Sequence, residues 1–324
     1  MSVIGAMLDV VVIGARRVRQ GIGEFVARSF HQAGARVRAV VGTSDETTRQ
    51  AVQNLRARYG LECAGYTALE QALERERPDA VAICSPIPFH RLHLEQVAAF
   101  GAHCLAEKPL WWAEQVRDRE RTTAALVDAF VRRGRHLALM TPWPLTLPDY
   151  DRVHPGRQGR PVAHFEMRLS PVTEGTSMVL DSVSHPLSLL QALVGTGEVR
   201  SPRAVVSAPG GRHVRLDFRY VHAAGEVAAV CHLEATAQWP RPAAYALDGR
   251  RVERRIELPD YRIFFEGGGR RVALQDPLAR LVRRFVDAVG SGAPGDREGL
   301  ICGMRGLERL MAAAAAAWDA AGGR

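Results

Sequence analysis

Between residues 8 and 140, short unbroken apolar runs alternate with stretches of helical periodicity. The first run, LDVVVIG (8–14), is apolar almost throughout and stops at a glycine. A strand covered on both faces reads this way, whereas a strand with one wet face alternates apolar and polar residues. The runs VRAVVG (37–42), a short piece at Cys63–Tyr66, PDAVAICSP (78–86), AHCLAEKP (102–109) and HLALM (136–140) repeat the pattern. Helices are expected between them over about 21–34, 45–59, 89–100 and 113–133, and one more follows a Thr67 cap with Glu70 three residues on; Asp45 is the expected N-cap of the second. Strands and helices in strict alternation predict a parallel, doubly wound sheet of the Rossmann kind, in the α/β class. Right-handed crossovers then gather the carboxyl ends of the strands along one edge, where such sheets bind ligands.

The pattern changes after residue 140. MTPWPLTLPDY (140–150) holds three prolines and reads as a connector. Strand-like runs follow at 161–170, 203–207, 213–221, 226–236, 243–247, 251–257 and 261–265, interrupted by a helix over about 181–194. Two helices, about 276–290 and 298–321, end the chain. This order predicts a C-terminal α+β domain with a mostly antiparallel sheet. The expected division is a nucleotide-binding domain over 1–140 and a substrate and oligomerisation domain over 141–324, with the last helix packing back on the first domain.

Composition narrows the function classes. No apolar run reaches the roughly 18 residues of a membrane span. Five scattered cysteines contain no C-x-x-C pair, which argues against a zinc site or a disulfide framework and fits a reducing cytoplasm. The net charge is +8, but the arginines are spread along the chain with no basic stripe interleaved with aromatics, so a nucleic-acid partner is not expected. His90 and His93, one turn apart, have no further ligand cluster around them, and no metal is expected. Lys108 is the only lysine; every other basic residue is arginine.

The turn after the first strand, GARRVRQGIG (14–23), is where a dinucleotide fold holds pyrophosphate. The G-x-G-x-x-G spacing is not intact. Gly14 is in place, while Arg16 and Arg19 stand where later glycines would be, and Gly21 and Gly23 follow. A longer loop with Gly14, Ala15, Arg16, Arg17, Gly21 and Ile22 around the phosphates is expected. At the end of the second strand, Gly42, Thr43 and Ser44 replace the acidic residue that binds a ribose 2′-OH. With Arg49 as counter-charge, this favours NADP(H) over NAD. Asp45 is the opposing signal.

AICSPIPFHRLHLEQVAAFGAHCLAEKPLWW (82–112) resembles the signature of the Gfo/Idh/MocA oxidoreductases, the glucose–fructose oxidoreductase and inositol dehydrogenase family. The matching residues are Ser85, Pro86 and His90, then His103, Glu107, Lys108 and Pro109. A second landmark of the family, Asp-x-x-x-His, is met by Asp181 and His185 in LDSVSHPLSLL (180–190). The resemblance implies a hydride-transferring oxidoreductase using NADP or NAD. Ser85, Pro86, His90, Glu107 and Lys108 would lie at the cofactor. Lys108 would polarise the reacting oxygen or nitrogen, His185 would act as general acid/base, and Asp181 would orient the imidazole or bind substrate.

Two departures bear on the substrate. The family's Asn-Arg-rich stretch after the sixth strand is replaced by MTPWPLTLPDY, and the acidic residue three positions after the histidine is Ser188. Trp111, Trp112, Trp143 and Tyr150 are expected to build a more apolar pocket, with Trp143 touching a small substrate. A homodimer or homotetramer is expected. Two other readings of the same motifs are a non-catalytic NAD(P)-binding sensor and an NAD-dependent lyase or glycosidase that oxidises its substrate transiently.

Overall fold

The computed structural model describes residues 7–16, 21–207 and 209–322. Contacts divide the chain into two compact units, Met1–Met140 with Leu278–Leu300, and Thr141–Pro277 with Ile301–Arg324.

The first unit is built on six parallel strands: β1 (Asp9–Ile13), β2 (Arg36–Val41), β3 (Ala64–Tyr66), β4 (Ala80–Ile83), β5 (His103–Glu107) and β6 (Leu137–Met140). Their order is β3-β2-β1-β4-β5-β6, so the chain reverses direction across the sheet between β1 and β4. Helices α1 (Gly23–Gln32), α2 (Asp45–Tyr59), α3 (Leu69–Glu76), α4 (Ile87–Phe100) and α5 (Arg119–Val131) connect the strands. The apolar runs are central because both faces are covered: Val10, Val11, Val12 and Ala80 to Ile83 are almost wholly buried. The caps differ from expectation. Ser44, not Asp45, caps α2, and its hydroxyl accepts the Thr47 N–H at 3.3 Å while Thr47 Oγ1 accepts the Ser44 N–H. Thr67 does not cap α3, whose N-cap is Ala68 without a side-chain bond.

Residues 141–153 are not the open connector expected. They form a 3-10 turn (Trp143–Thr146) and α6 (Leu147–Val153). Pro144 and Pro148 stand in the first turn of each, where a missing N–H removes no helical bond and the fixed φ suits the helix.

The rest of the second unit is built around eight strands: β7 (His164–Leu169), β8 (Gly197–Ser207), β9 (His213–His222), β10 (Gly225–Glu234), β11 (Ala243–Leu247), β12 (Arg250–Glu257), β13 (Arg262–Gly267) and β14 (Arg270–Leu274). The order is β14-β13-β12-β11-β7-β10-β9-β8, antiparallel except between β7 and β10. β8 begins six residues before the expected run, because a bulge between Arg200 and Arg203 absorbs Ser201 and Pro202 without ending the strand. Helices α7 (Thr176–Ser182) and α8 (Ser184–Val194) lie between β7 and β8, where one continuous helix was expected.

After the sheet, α9 (Pro277–Gly290) returns to the first unit. There Arg283 donates to the carbonyls of Gln32 and Ala33, and Phe285 meets Phe30 edge-on. The last helix, α10 (Arg297–Ala320), runs from Arg297, paired with Asp128 in the first unit, into the second. None of the described helices is long and apolar enough to cross a membrane.

Candidate active site

In the first unit the expected residues gather at the carboxyl ends of β1, β4 and β5. Gly14 follows β1 with φ +81°, and a Cβ there would lie 2.5 Å from the Cys84 carbonyl oxygen. A Cβ on Gly23 would lie 2.3 Å from the Gly14 carbonyl oxygen. Only glycines let β1, β4 and the start of α1 approach this closely, which is the use the dinucleotide fingerprint makes of its glycines. The N-cap of α1, Ile22, provides no side-chain cap, so no side chain at that position occupies the first amides of the helix. A pyrophosphate would take those donors, and the residues present therefore fit a bound dinucleotide. Ala15 is buried, Gly21 and Ile22 are half-buried, and Arg16 is exposed beside them. Arg17 and Arg19 lie outside the described residues.

At the end of β2, Thr43, Ser44 and Asp45 are exposed. Arg49, one turn along α2, pairs with Glu46 at 2.7 Å, with both side chains 61% exposed.

Lys108 directly follows β5 and is half-buried, as is Glu107. The peptide between Lys108 and Pro109 is cis. His90, 1% exposed, joins this turn to the end of β4. Its Nδ1 lies 2.9 Å from the Pro109 carbonyl oxygen and its Nε2 lies 2.7 Å from that of Ser85. Burial pulls the His90 pKa down, and the two carbonyls push it back. Ser85 is itself buried, with its hydroxyl 3.0 Å from Nδ1 of His93; Pro86 is exposed and begins α4. His90 therefore ties the segment after Lys108 to the end of β4, where Ser85 also meets His93. A neutral imidazole donates from one nitrogen, so replacing His90 with alanine strands one carbonyl, at about 1–3 kcal/mol. Urea unfolding is expected to show a loss of about 2 kcal/mol, and kcat is expected to fall more than KM changes, because the turn holding Lys108 loosens.

In the second unit Asp181 lies in the last turn of α7 and His185 is the second residue of α8. The two helices are separate, so only His185 stands at a helix N-terminus. Pro186 follows it in the first turn, where proline is tolerated. Asp181, His185 and Ser188 are half-buried, while Val183, Leu187 and Leu190 are buried. The Ser188 hydroxyl donates to the His185 carbonyl at 2.9 Å.

The aromatic residues expected to line a pocket are packed instead. Trp111 is fully buried and donates to Thr123 Oγ1 at 3.0 Å. Trp112 donates to Glu114, and the Arg119 guanidinium lies 4.0 Å from its ring centroid. Trp143 is 5% exposed and meets Tyr245 edge-on, and the buried Tyr150 donates to the Arg250 carbonyl at 2.6 Å. Trp143 and Tyr150 sit in the 3-10 turn and α6 that replace the expected connector. Reading the sequence missed Arg254, whose guanidinium lies 5.5 Å from the Trp143 ring centroid. Only the strand register shows which face of the sheet it occupies.

Residues 8–135 match the model of the Gfo/Idh/MocA oxidoreductase family, described as an oxidoreductase family with an NAD-binding Rossmann fold. No curated protein sequence matches the chain. Among solved structures, it is similar to a UDP-N-acetylglucosamine 3-dehydrogenase from Acidithiobacillus ferrooxidans, at 19% identity and TM-score 0.71, covering 96% of this chain and 99% of that one. It is similar to a probable dehydrogenase from Thermotoga maritima, at 17% identity and TM-score 0.70, covering 97% of each chain. An inositol dehydrogenase homologue from Azotobacter vinelandii, complexed with NAD+, is 14% identical with TM-score 0.69, again over 97% of each chain. The family match covers residues 8–135, and the likeness of the two-part fold to these solved structures runs over nearly the whole length.

Proposed function

We propose that the chain is an NAD(P)-dependent dehydrogenase that moves a hydride between the nicotinamide and a carbinol or carbonyl carbon, or its amine or imine counterpart, of a small substrate. The observation that carries this reading is the position of Lys108. The chain's only lysine follows β5 at the ligand-binding edge of the sheet, next to the glycine cradle of Gly14 and Gly23. Arginine replaces lysine everywhere else, yet its planar, always-protonated fork cannot substitute for a compact ammonium beside a reacting atom.

When bound, the nicotinamide supplies the hydride acceptor or donor. The ammonium of Lys108 donates a hydrogen bond to the substrate oxygen or nitrogen and stabilises negative charge developing there. His185 takes the hydroxyl proton during oxidation and returns it during reduction, a task suited to imidazole at neutral pH. Asp181, four residues earlier, orients that ring. Solved structures of the same fold include a UDP-N-acetylglucosamine 3-dehydrogenase and an inositol dehydrogenase homologue, which supports a hydroxyl-bearing ring as substrate. The test is steady-state turnover of oxidised cofactor against a panel of polyols, sugars and amino sugars. Reduced cofactor formed in step with product is expected. Bound cofactor without turnover of any substrate would favour a non-catalytic sensor.

The finer preference, for NADP over NAD, rests on the end of β2. Gly42, Thr43 and Ser44 bring no carboxylate to the ribose, and the ion pair of Arg49 with Glu46 is exposed. Exposed pairs are worth about 0–1 kcal/mol, so Arg49 can turn to a 2′-phosphate at little cost. Arg49→Gln is expected to weaken NADPH about tenfold and to leave NADH nearly unchanged, since a bond to a charged group contributes about 1.5–3 kcal/mol. Equal effects on both cofactors would assign Arg49 no part in the choice. The same reading makes the enzyme a homo-oligomer of the cytoplasm.

A further inference from the structure

The outer face of the second sheet is charged and internally matched. Arg168 pairs with Glu166, Arg215 with Asp217, Arg219 with Glu226, Arg255 with Glu253 and Glu266, and Arg271 with Glu257. Arg254 stands on the opposite face. Its register places it beside Ala243 on β11 and Phe265 on β13, and Ala243 in turn faces Leu169 on β7. Phe265, Ala243 and Leu169 are buried, so Arg254 is a charge set into an otherwise apolar row.

A guanidinium there needs an anion, because a desolvated charge is costly unless paired. Among the described residues no carboxylate lies within ion-pair distance of it. Its Nη2 donates to the Arg241 carbonyl at 2.8 Å, and its Cζ lies 5.5 Å from the ring centroid of the buried Trp143. Its Nε is closed off from water and has no hydrogen-bond partner among the described residues. The residue as a whole is half-buried, while its guanidinium lies deeper. Burial lowers its pKa, whereas Arg36, Arg215 and Arg297, each beside a carboxylate, are raised. Arginine remains protonated under all these conditions. The turn that carries Trp143 packs against α8, the helix of His185, so arginine, indole and candidate catalytic helix form one continuous patch of the second unit.

We propose that Arg254 is a substrate-binding residue that takes an anionic group, a carboxylate or a phosphate, and that the substrate of this enzyme is therefore anionic. A planar fork backed by an indole and one carbonyl is preset to receive two oxygens of such a group. The assignment of the anion as substrate rests on the dehydrogenase reading; the binding of the anion does not.

The test is calorimetric titration of the full-length protein with D-glucuronate, D-glucose 1-phosphate and D-glucose, with and without saturating NADH. One of the two anions is expected to bind at least tenfold more tightly than glucose, with a preference that shrinks as salt is raised; which of them binds separates carboxylate from phosphate. Arg254→Gln should abolish the preference, Arg254→Lys should retain part of it, and Arg255→Gln, on the outer face, should retain all of it. Should Arg254→Gln fail to fold, the wild-type preference and its reduction in Arg254→Lys decide. Binding of glucose as tight as that of both anions, no binding of any of the three, or an unchanged preference in a folded Arg254→Gln protein would overturn the proposal. Anion binding in a protein that takes up no NADH would instead preserve this site and sink the dehydrogenase reading.

Discussion

Lys108→Ala is expected to lower kcat by about 10²–10⁴, the usual range for a positioned proton-transfer or polarising group. Binding of reduced cofactor should stay within about threefold of wild type, because the glycine cradle at Gly14 and Gly23 is untouched. The separation of the two effects is the informative part. A group that acts only as charge builds in the transition state changes kcat and kcat/KM together. Lys108→Arg should be nearly as poor as alanine: it keeps the charge, but its fork is longer and planar. Restoration of activity by arginine would show that charge alone is needed there. The fold should survive both changes, since Lys108 lies outside the strand and is half-buried.

His185→Asn is the second large effect, again about 10²–10⁴ in kcat. Asparagine keeps a polar group in the first turn of α8 but cannot carry the proton. The wild-type rate of oxidation should rise with pH, because only the neutral imidazole can accept the proton. The variant should lose that limb while retaining its residual rate. Asp181→Asn should cause a smaller loss, because in this reading the carboxylate orients the ring and does not carry the proton. Lys108→Ala combined with His185→Asn should cost far less than the product of the single effects, as residues that act as a unit do. Strict multiplicativity would mean that the two serve different steps.

Much of the fold could be read from the chain, for a physical reason. Strands buried on both faces cannot alternate, so β1, β4 and β5 announced themselves as apolar runs, and α2 falls on the expected residues 45–59. Lys108, Glu107, Ser85 and His90 could be placed near one sheet edge because a parallel sheet fixes which strand ends meet. What could not be read depended on register or local competition. Ser44 and Asp45 are both good caps, and the reciprocal bonds with Thr47 decided for serine. The prolines of 141–150 looked like breakers, but Pro144 and Pro148 stand in first turns and Pro142 at the N-cap before them. β14 was missed because RRVAL follows three glycines and shows too few apolar residues to mark a strand. Arg254 and Arg255 are indistinguishable in sequence. Pairing across β11, β12 and β13 puts one into an apolar row and the other among carboxylates.

The most direct test of the central claim is a fluorescence titration of wild-type protein and Lys108→Ala with NADH and with NADPH, followed by turnover of each complex. Both proteins should bind a reduced cofactor with similar affinity, and only the wild type should turn over. Failure of the wild type to bind either cofactor would contradict the account, as would full activity in Lys108→Ala.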